Sequence, residues 1–317
     1  MLIVRLWVVA LLGWAGGVHA HVLSADDRVS PHFGWSFEPW VVALLVASGG
    51  LYAVGYLRLR RRSRRSRNVR AVHLASFACG WLALTIALDS PLDTLAAALF
   101  SAHMVQHEML MLVAAPLLVI GRPLAVWIWT FPASMRSAIA HAVRTHWIRV
   151  PWRVLTMPLV AWLLHAAVLW GWHAPVFFEA ALARRGIHTL QHASFLIGAL
   201  LFWWTVFGNT SRGAHSAHAL LSLFTTMVHT GALGALLTLA PGLWYPSYIE
   251  STSALGFDPL QDQQLGGLVM WVPGGLAYVI GGLALGARWL ARRAPSPSAI
   301  RVDIDGASVR GTAAQDG

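Results

Sequence analysis

Two five-residue stretches of this chain read His-x-x-Gln-His: His103-Met104-Val105-Gln106-His107 and His188-Thr189-Leu190-Gln191-His192. On a helix, residues four apart stand one above the other on the same face, so each stretch offers a stacked pair of imidazoles. Both stretches lie inside apolar runs long enough to cross a bilayer. A titratable side chain is costly in hydrocarbon and turns to a bundle interior, a partner or a ligand. Neutral imidazole ligates copper, zinc and haem iron. His103, His107, His188 and His192 are therefore the candidate metal ligands. His173, in Trp172-His173-Ala174-Pro175 at the end of a third run, is the candidate fifth, placed at the entrance.

The spacing bears on which metal is meant. Two ligands on one helix suit a compact metal site, whereas haem needs one ligand from each side of a flat ring. A compact copper or zinc site is one reading, with b-type haem clamped by histidines of facing helices as the alternative. A metal-free scaffold is the third reading, in which each histidine only hydrogen-bonds between helices. Met104, Met109, Met111, Met227 and Met270 lie in apolar runs and offer thioethers that favour reduced copper, although methionine is above all a packing residue. Glu108 is the one acid deep inside a run; there it needs a cation or water, or stays protonated. Cys79 stands alone and reads as a small buried hydrophobe with no disulfide partner.

The rest of the chain says what must position these groups. It is 57% hydrophobic and only 11% charged, against roughly 25% charged in soluble domains, so it reads as an all-α, polytopic membrane helix bundle. Its formal net charge of +10 comes from arginine alone, and the arginines collect in loops between apolar runs rather than on one face. That pattern is topological, with the lipid bilayer as partner and no nucleic acid. There is no Gly-rich phosphate loop, no Gly-x-Ser-x-Gly elbow and no His-Glu-x-x-His box, and the chain reads as a non-enzyme.

Residues 1–20 have the form of a signal peptide: Arg5, an apolar core from Leu6 to Ala15, then small residues up to Ala20. Cleavage there would expose His21, whose amine and imidazole could chelate copper; an uncleaved anchor is the other possibility. A short outer segment over 21–36 follows, then a membrane domain over 37–290 and a polar, disordered cytoplasmic tail over 291–317. Seven spans are expected at 37–57, 71–89, 99–121, 154–174, 187–208, 218–240 and 265–288, each near the 20 residues a crossing helix needs. The run Leu124–Phe131 is too short to cross and suits the interface through Trp127 and Trp129.

Eight arginines fall in 58–70 and five in 122–153, while 90–98 and 241–264 hold none. Positive charge stays on the cytoplasmic side, so the N-terminus is expected outside and the C-terminus inside a bacterial cytoplasmic membrane. The candidate ligands then share the outer half. His165 and His229 fall near the midplane, and His141, His146 and His215 in cytoplasmic loops. Gly266-Gly267 through Gly274-Gly275, with Pro273, reads as a segment for close packing and a kink, behind Asp262-Gln263-Gln264 at the outer mouth.

His103–His107 running into Ala115-Pro116-Leu117-Leu118-Val119-Ile120-Gly121-Arg122-Pro123 resembles the signature of the membrane-integral cytochrome c oxidase assembly factors, the CtaG type associated with caa-type oxidases. Leu169-Trp170-Gly171-Trp172-His173-Ala174-Pro175, the second pentad, and Asp262-Gln263-Gln264-Leu265-Gly266-Gly267 with Met270-Trp271 resemble its later blocks. The likeness spans roughly residues 35–290. It implies a role in producing active haem–copper oxidase, with oxidase subunits as partners and copper supply as the step performed.

Overall fold

The computed structural model describes residues 34–62, 67–208 and 213–293. The described residues are predominantly helical, with no strand among them. The expected signal peptide, most of the segment over 21–36 and nearly all of the tail lie outside them. In a chain this apolar, polarity cannot mark where helices begin, and proline does so instead. It sits at the first helical position of α1 (Pro39–Arg62), α3 (Pro91–Ala98), α6 (Pro123–Trp127), α9 (Pro158–His173), α10 (Pro175–Ala183) and α14 (Pro259–Arg293). Its fixed φ suits that position and its missing N–H costs nothing there. At α3, Ser90 supplies a side-chain cap by accepting from the Leu92 amide at 3.1 Å.

The other principal elements are α2 (Arg67–Asp89), α4 (Phe100–Glu108), α5 (Ala115–Gly121), α7 (Ala133–Ala142), α8 (His146–Leu155), α11 (Arg185–Trp203), α12 (Gly213–Thr238) and α13 (Ile249–Ala254). A π-helical stretch, Met109–Ala114, joins α4 to α5, and another, Trp204–Gly208, ends α11. Both pentad helices thus widen beyond their histidines. Trp203 donates to the Met111 carbonyl across the gap at 2.8 Å, where the altered ladder leaves an acceptor turned outward.

Among the described residues, six helices are long and apolar enough to cross a membrane, or seven if a bent pair is one span. The bent pair corrects the expected span over 154–174. Its start belongs to α8, which is set at 69° to α9 across a break before Pro158. No residue of α8 is buried, and Trp147 is 87% exposed. Apolar side chains alternating with Arg149 and Arg153 give α8 two unlike faces, which suits an interface rather than a core. Other boundaries also move: α14 begins at Pro259, six residues before the expected start at 265, and continues through Pro273 as one helix.

The largest core joins α4, α5, α9, α10, α11, α12 and α14 around Phe100, Phe178, Phe195, Phe202 and Trp203. A second core sets α1 and α2 against α5 and α6. The expected close packing of small residues is visible where α12 meets α14. A methyl group on Gly267 would sit 2.7 Å from the Gly234 carbonyl oxygen. The adjacent Gly266 faces Phe100 so closely that any side chain would collide with the ring, which brings α14 onto α4.

Arg122, at φ 52°, turns the chain out of α5. The run after it does not merely lie at an interface but packs along α1, where Trp127 donates to the Ser48 carbonyl at 3.1 Å and Thr130 to that of Leu51 at 2.8 Å. Cys79 is exposed on the outward face of α2, not buried as expected, because Phe77 and Gly80 take the inward positions.

Candidate metal centre

α4 starts at Phe100 and α11 at Arg185, so each pentad begins three residues in. At about 1.5 Å of rise per residue the two pairs stand at matching depths, about 5 and 11 Å from their helix starts. The two helices approach through these faces. Ring centroids are 4.3 Å apart for His103 and His107, and 4.2 Å for His188 and His192. Across the interface they are 5.2 Å for His107 and His192, and 5.4 Å for His103 and His188. His173 comes from the end of α9 and lies 6.3 Å from His107. All five sequence-predicted residues are therefore brought together. The ligand atoms of His103, His188 and His192 fall within 4.8 Å of one another, close enough to share one ion.

The hydrogen bonds of two of these histidines decide which nitrogen is free. His173 Nδ1 lies 2.7 Å from the Leu169 carbonyl oxygen. A carbonyl only accepts, so Nδ1 carries the proton and Nε2 the lone pair. His103 Nδ1 lies 3.0 Å from the Tyr248 hydroxyl, whose proton goes to the Ala96 carbonyl at 3.0 Å. His103 Nδ1 must then donate to the phenol oxygen, again leaving Nε2 as lone pair. The Nε2 atoms of all five histidines are buried without a protein partner. Buried polar atoms are nearly always paired, so these orphaned imidazole nitrogens, three of them close enough to share one ion, fit a metal ion.

His173 differs from expectation in one respect. Only 2% of it is exposed, so it stands behind His107 rather than at an entrance. The way in is a cavity of about 630 Å³ between α1 and α11, lined at its polar end by His103, His188 and His192. His165 and His229 are not part of the group: His165 stacks on Phe202, and His229 packs against Trp162. Glu108 turns to Gly274 of α14, and Met104 packs into the apolar core beside Gly266.

The family model for the cytochrome c oxidase caa3 assembly factors matches residues 50–292, a stretch that holds both pentads and His173. The chain belongs to that family. It is also similar to an uncharacterized protein of Mycobacterium leprae (strain TN), 25% identical over 281 residues, covering 80% of this chain and 39% of the relative. Uncharacterized proteins of Mycobacterium bovis and Mycobacterium tuberculosis are each 26% identical over 266 residues, with the same coverage. The chain thus spans about 39% of the length of the curated relatives it matches. No solved structure matches it.

Within this assembly-factor domain, several site-building residues were not singled out from sequence for the roles they have. Asp262, at the start of α14, accepts from the Phe100 amide at 2.7 Å and from the hydroxyl of Ser101. It thereby caps α4 from another helix, in place of Leu99, which has no capping side chain. Gln263 accepts from the Trp244 amide at 2.7 Å, and Tyr245 donates to the His173 carbonyl at 2.7 Å. Tyr245 and Tyr248 thus pin the loop between α12 and α14 over the cluster.

Gln106, the polar residue inside the first pentad, donates to the Ala87 carbonyl at 2.6 Å and to Asp93 at 2.8 Å. Burial lifts the Asp93 carboxyl above its ordinary range, against the lowering pull of its bonds from Ser36 and Gln106. Burial likewise raises the Tyr248 phenol, which keeps it a neutral hydrogen-bond partner for His103. The sequence signal for these roles was the presence of polar residues at the ends of apolar runs; which helix each would serve depends on the packing.

Proposed function

We propose that this protein assists the assembly of a haem–copper oxidase by holding one copper ion among the imidazoles of the two pentads. The observation that carries the reading is the set of five buried, unpartnered Nε2 atoms, two of them with their tautomers set by Tyr248 and Leu169. Family membership supports the oxidase as destination. A site made only of neutral imidazoles suits a soft or borderline cation and holds it without a compensating charge, which favours release to a better ligand set. In this reading the role is binding and transfer rather than catalysis. The arginine distribution supports an orientation with the histidine end of the bundle in the outer half of the membrane.

The haem alternative is less well supported by the geometry. His103 and His107 are buried and packed against Phe178 and Phe195, which leaves little lateral room for a flat macrocycle. The test is deletion of the gene in its host. Oxidase activity should fall while oxidase transcripts stay level, and added copper should restore part of it. Normal activity with normal copper in the oxidase would overturn the proposal.

A further inference from the structure

We propose that the cavity beside the histidines binds a quinol-type amphiphile, a hydroxylated aromatic head on an apolar tail, entering sideways from the bilayer. The binding stands on the cavity itself. One corollary, that this ligand and copper exclude each other, rests on the copper reading above.

The cavity is two-ended. Leu84, Leu88, Leu110 and Leu196 line its apolar wall, while His103, His188, His192 and Asp93 stand at the other end. Neither long wall packs mainly on the other: α1 packs chiefly on α2 and α6, and α11 on α5, α9 and α10. Leu44 of α1 and Ile197 of α11 both line the cavity, yet are 53% and 58% exposed on the outward surface of the bundle. The slot therefore opens towards lipid. At its far end, Arg185 and Glu38 form an ion pair at 2.9 Å that ties the start of α11 to the start of α1. About 630 Å³ is within the range of small-molecule sites, and an apolar wall with a few convergent polar groups is the usual make-up of one.

The polar end selects the head. His103 keeps a lone pair at Nε2, because its Nδ1 proton is given to Tyr248, and that buried atom stands beside the half-buried His188 and His192. Asp93 and Glu38 are further acceptors. An acceptor-rich end takes a head that donates. The one guanidinium there, Arg185, is already engaged by Glu38, and Glu38 also accepts from Trp40 at 2.8 Å. A phospholipid would bring a phosphate that meets no free cation among the described lining residues, at a desolvation cost. An uncharged hydroquinone places two hydroxyl donors against imidazole and carboxylate and lays its tail along the leucines. Its hydroxyls need the same Nε2 lone pairs that ligate copper, so the two cannot be bound together.

The experiment uses the full chain in detergent micelles under nitrogen, titrated with a dihydroxybenzene carrying a decyl tail. Tryptophan fluorescence is the readout, since Trp40 lines the cavity. Saturable quenching is expected, weakened at least tenfold in Ala193→Phe, which fills the slot from α11. Ala193→Phe should keep its copper, which shows that it is folded. Preloading with copper(I) should abolish the quenching. Absence of saturable quenching, or equal affinity in Ala193→Phe, overturns the amphiphile site. So does displacement of the hydroquinone by phosphatidylglycerol at equal concentration, which would make the occupant a phospholipid. Protein that binds the hydroquinone but never retains copper would instead refute the copper reading and leave this site standing.

Discussion

The two pentads share a sequence pattern and a depth, yet they sit in different surroundings. On α4, His103 and His107 are each 1% exposed, and Gln106 between them is bonded to Ala87 and Asp93. On α11, His188 and His192 are partly exposed and line the cavity. One pair is fixed from behind by Tyr248, Asp262 and the small residues of α14; the other faces an opening. A site built this way has a rigid wall and an accessible wall. The difference teaches that equal spacing in sequence does not imply equal roles: the α4 pair is held rigidly, and the α11 pair, with His103 beside it, lines the opening.

This comparison can be broken by loosening the rigid wall. Tyr248→Phe removes the hydroxyl that sets the His103 tautomer but keeps the ring that packs beside Phe100. Copper affinity should fall about 10–100-fold, the usual cost of losing a partner behind a metal-bound histidine, with little change in thermal stability. A drop in stability with unchanged affinity would mean that Tyr248 only packs. Asp262→Ala should have a smaller effect on the metal and a clear one on the fold. Loss of the cap on α4 should cost about 1 kcal/mol, read as a lowered unfolding midpoint, while Asp262→Asn keeps most of it. An unchanged midpoint in Asp262→Ala would show that α4 does not depend on α14 for its start.

Much of this was legible in the chain because it rests on local rules. An i, i+4 pair faces one way on any helix, so the pentads announced themselves, and their equal distance from the start of an apolar run set their equal depth. The small residues of 266–275 announced a close approach because only glycine lets helix backbones come so near. The break before Pro158 was missed because α8 is itself apolar enough to pass for the start of a span. Cys79 was misplaced because a helix that is apolar all round gives no sign of which face meets lipid and which meets protein. Asp262 and Tyr248 were the harder cases. They lie 162 and 145 residues from the groups they hold, and nothing local to either position records that pairing.

The central claim is that imidazoles from both pentads hold a single copper ion. The most direct measurement is copper content with X-ray absorption at the copper edge, on the purified full-length protein and on His192→Ala, with His141→Ala in the exposed part of α7 as control. The account predicts about one copper per chain in an all-nitrogen shell showing imidazole scattering, kept in His141→Ala and largely lost in His192→Ala. Copper-free wild-type protein, or His192→Ala retaining as much copper in the same shell, would contradict it.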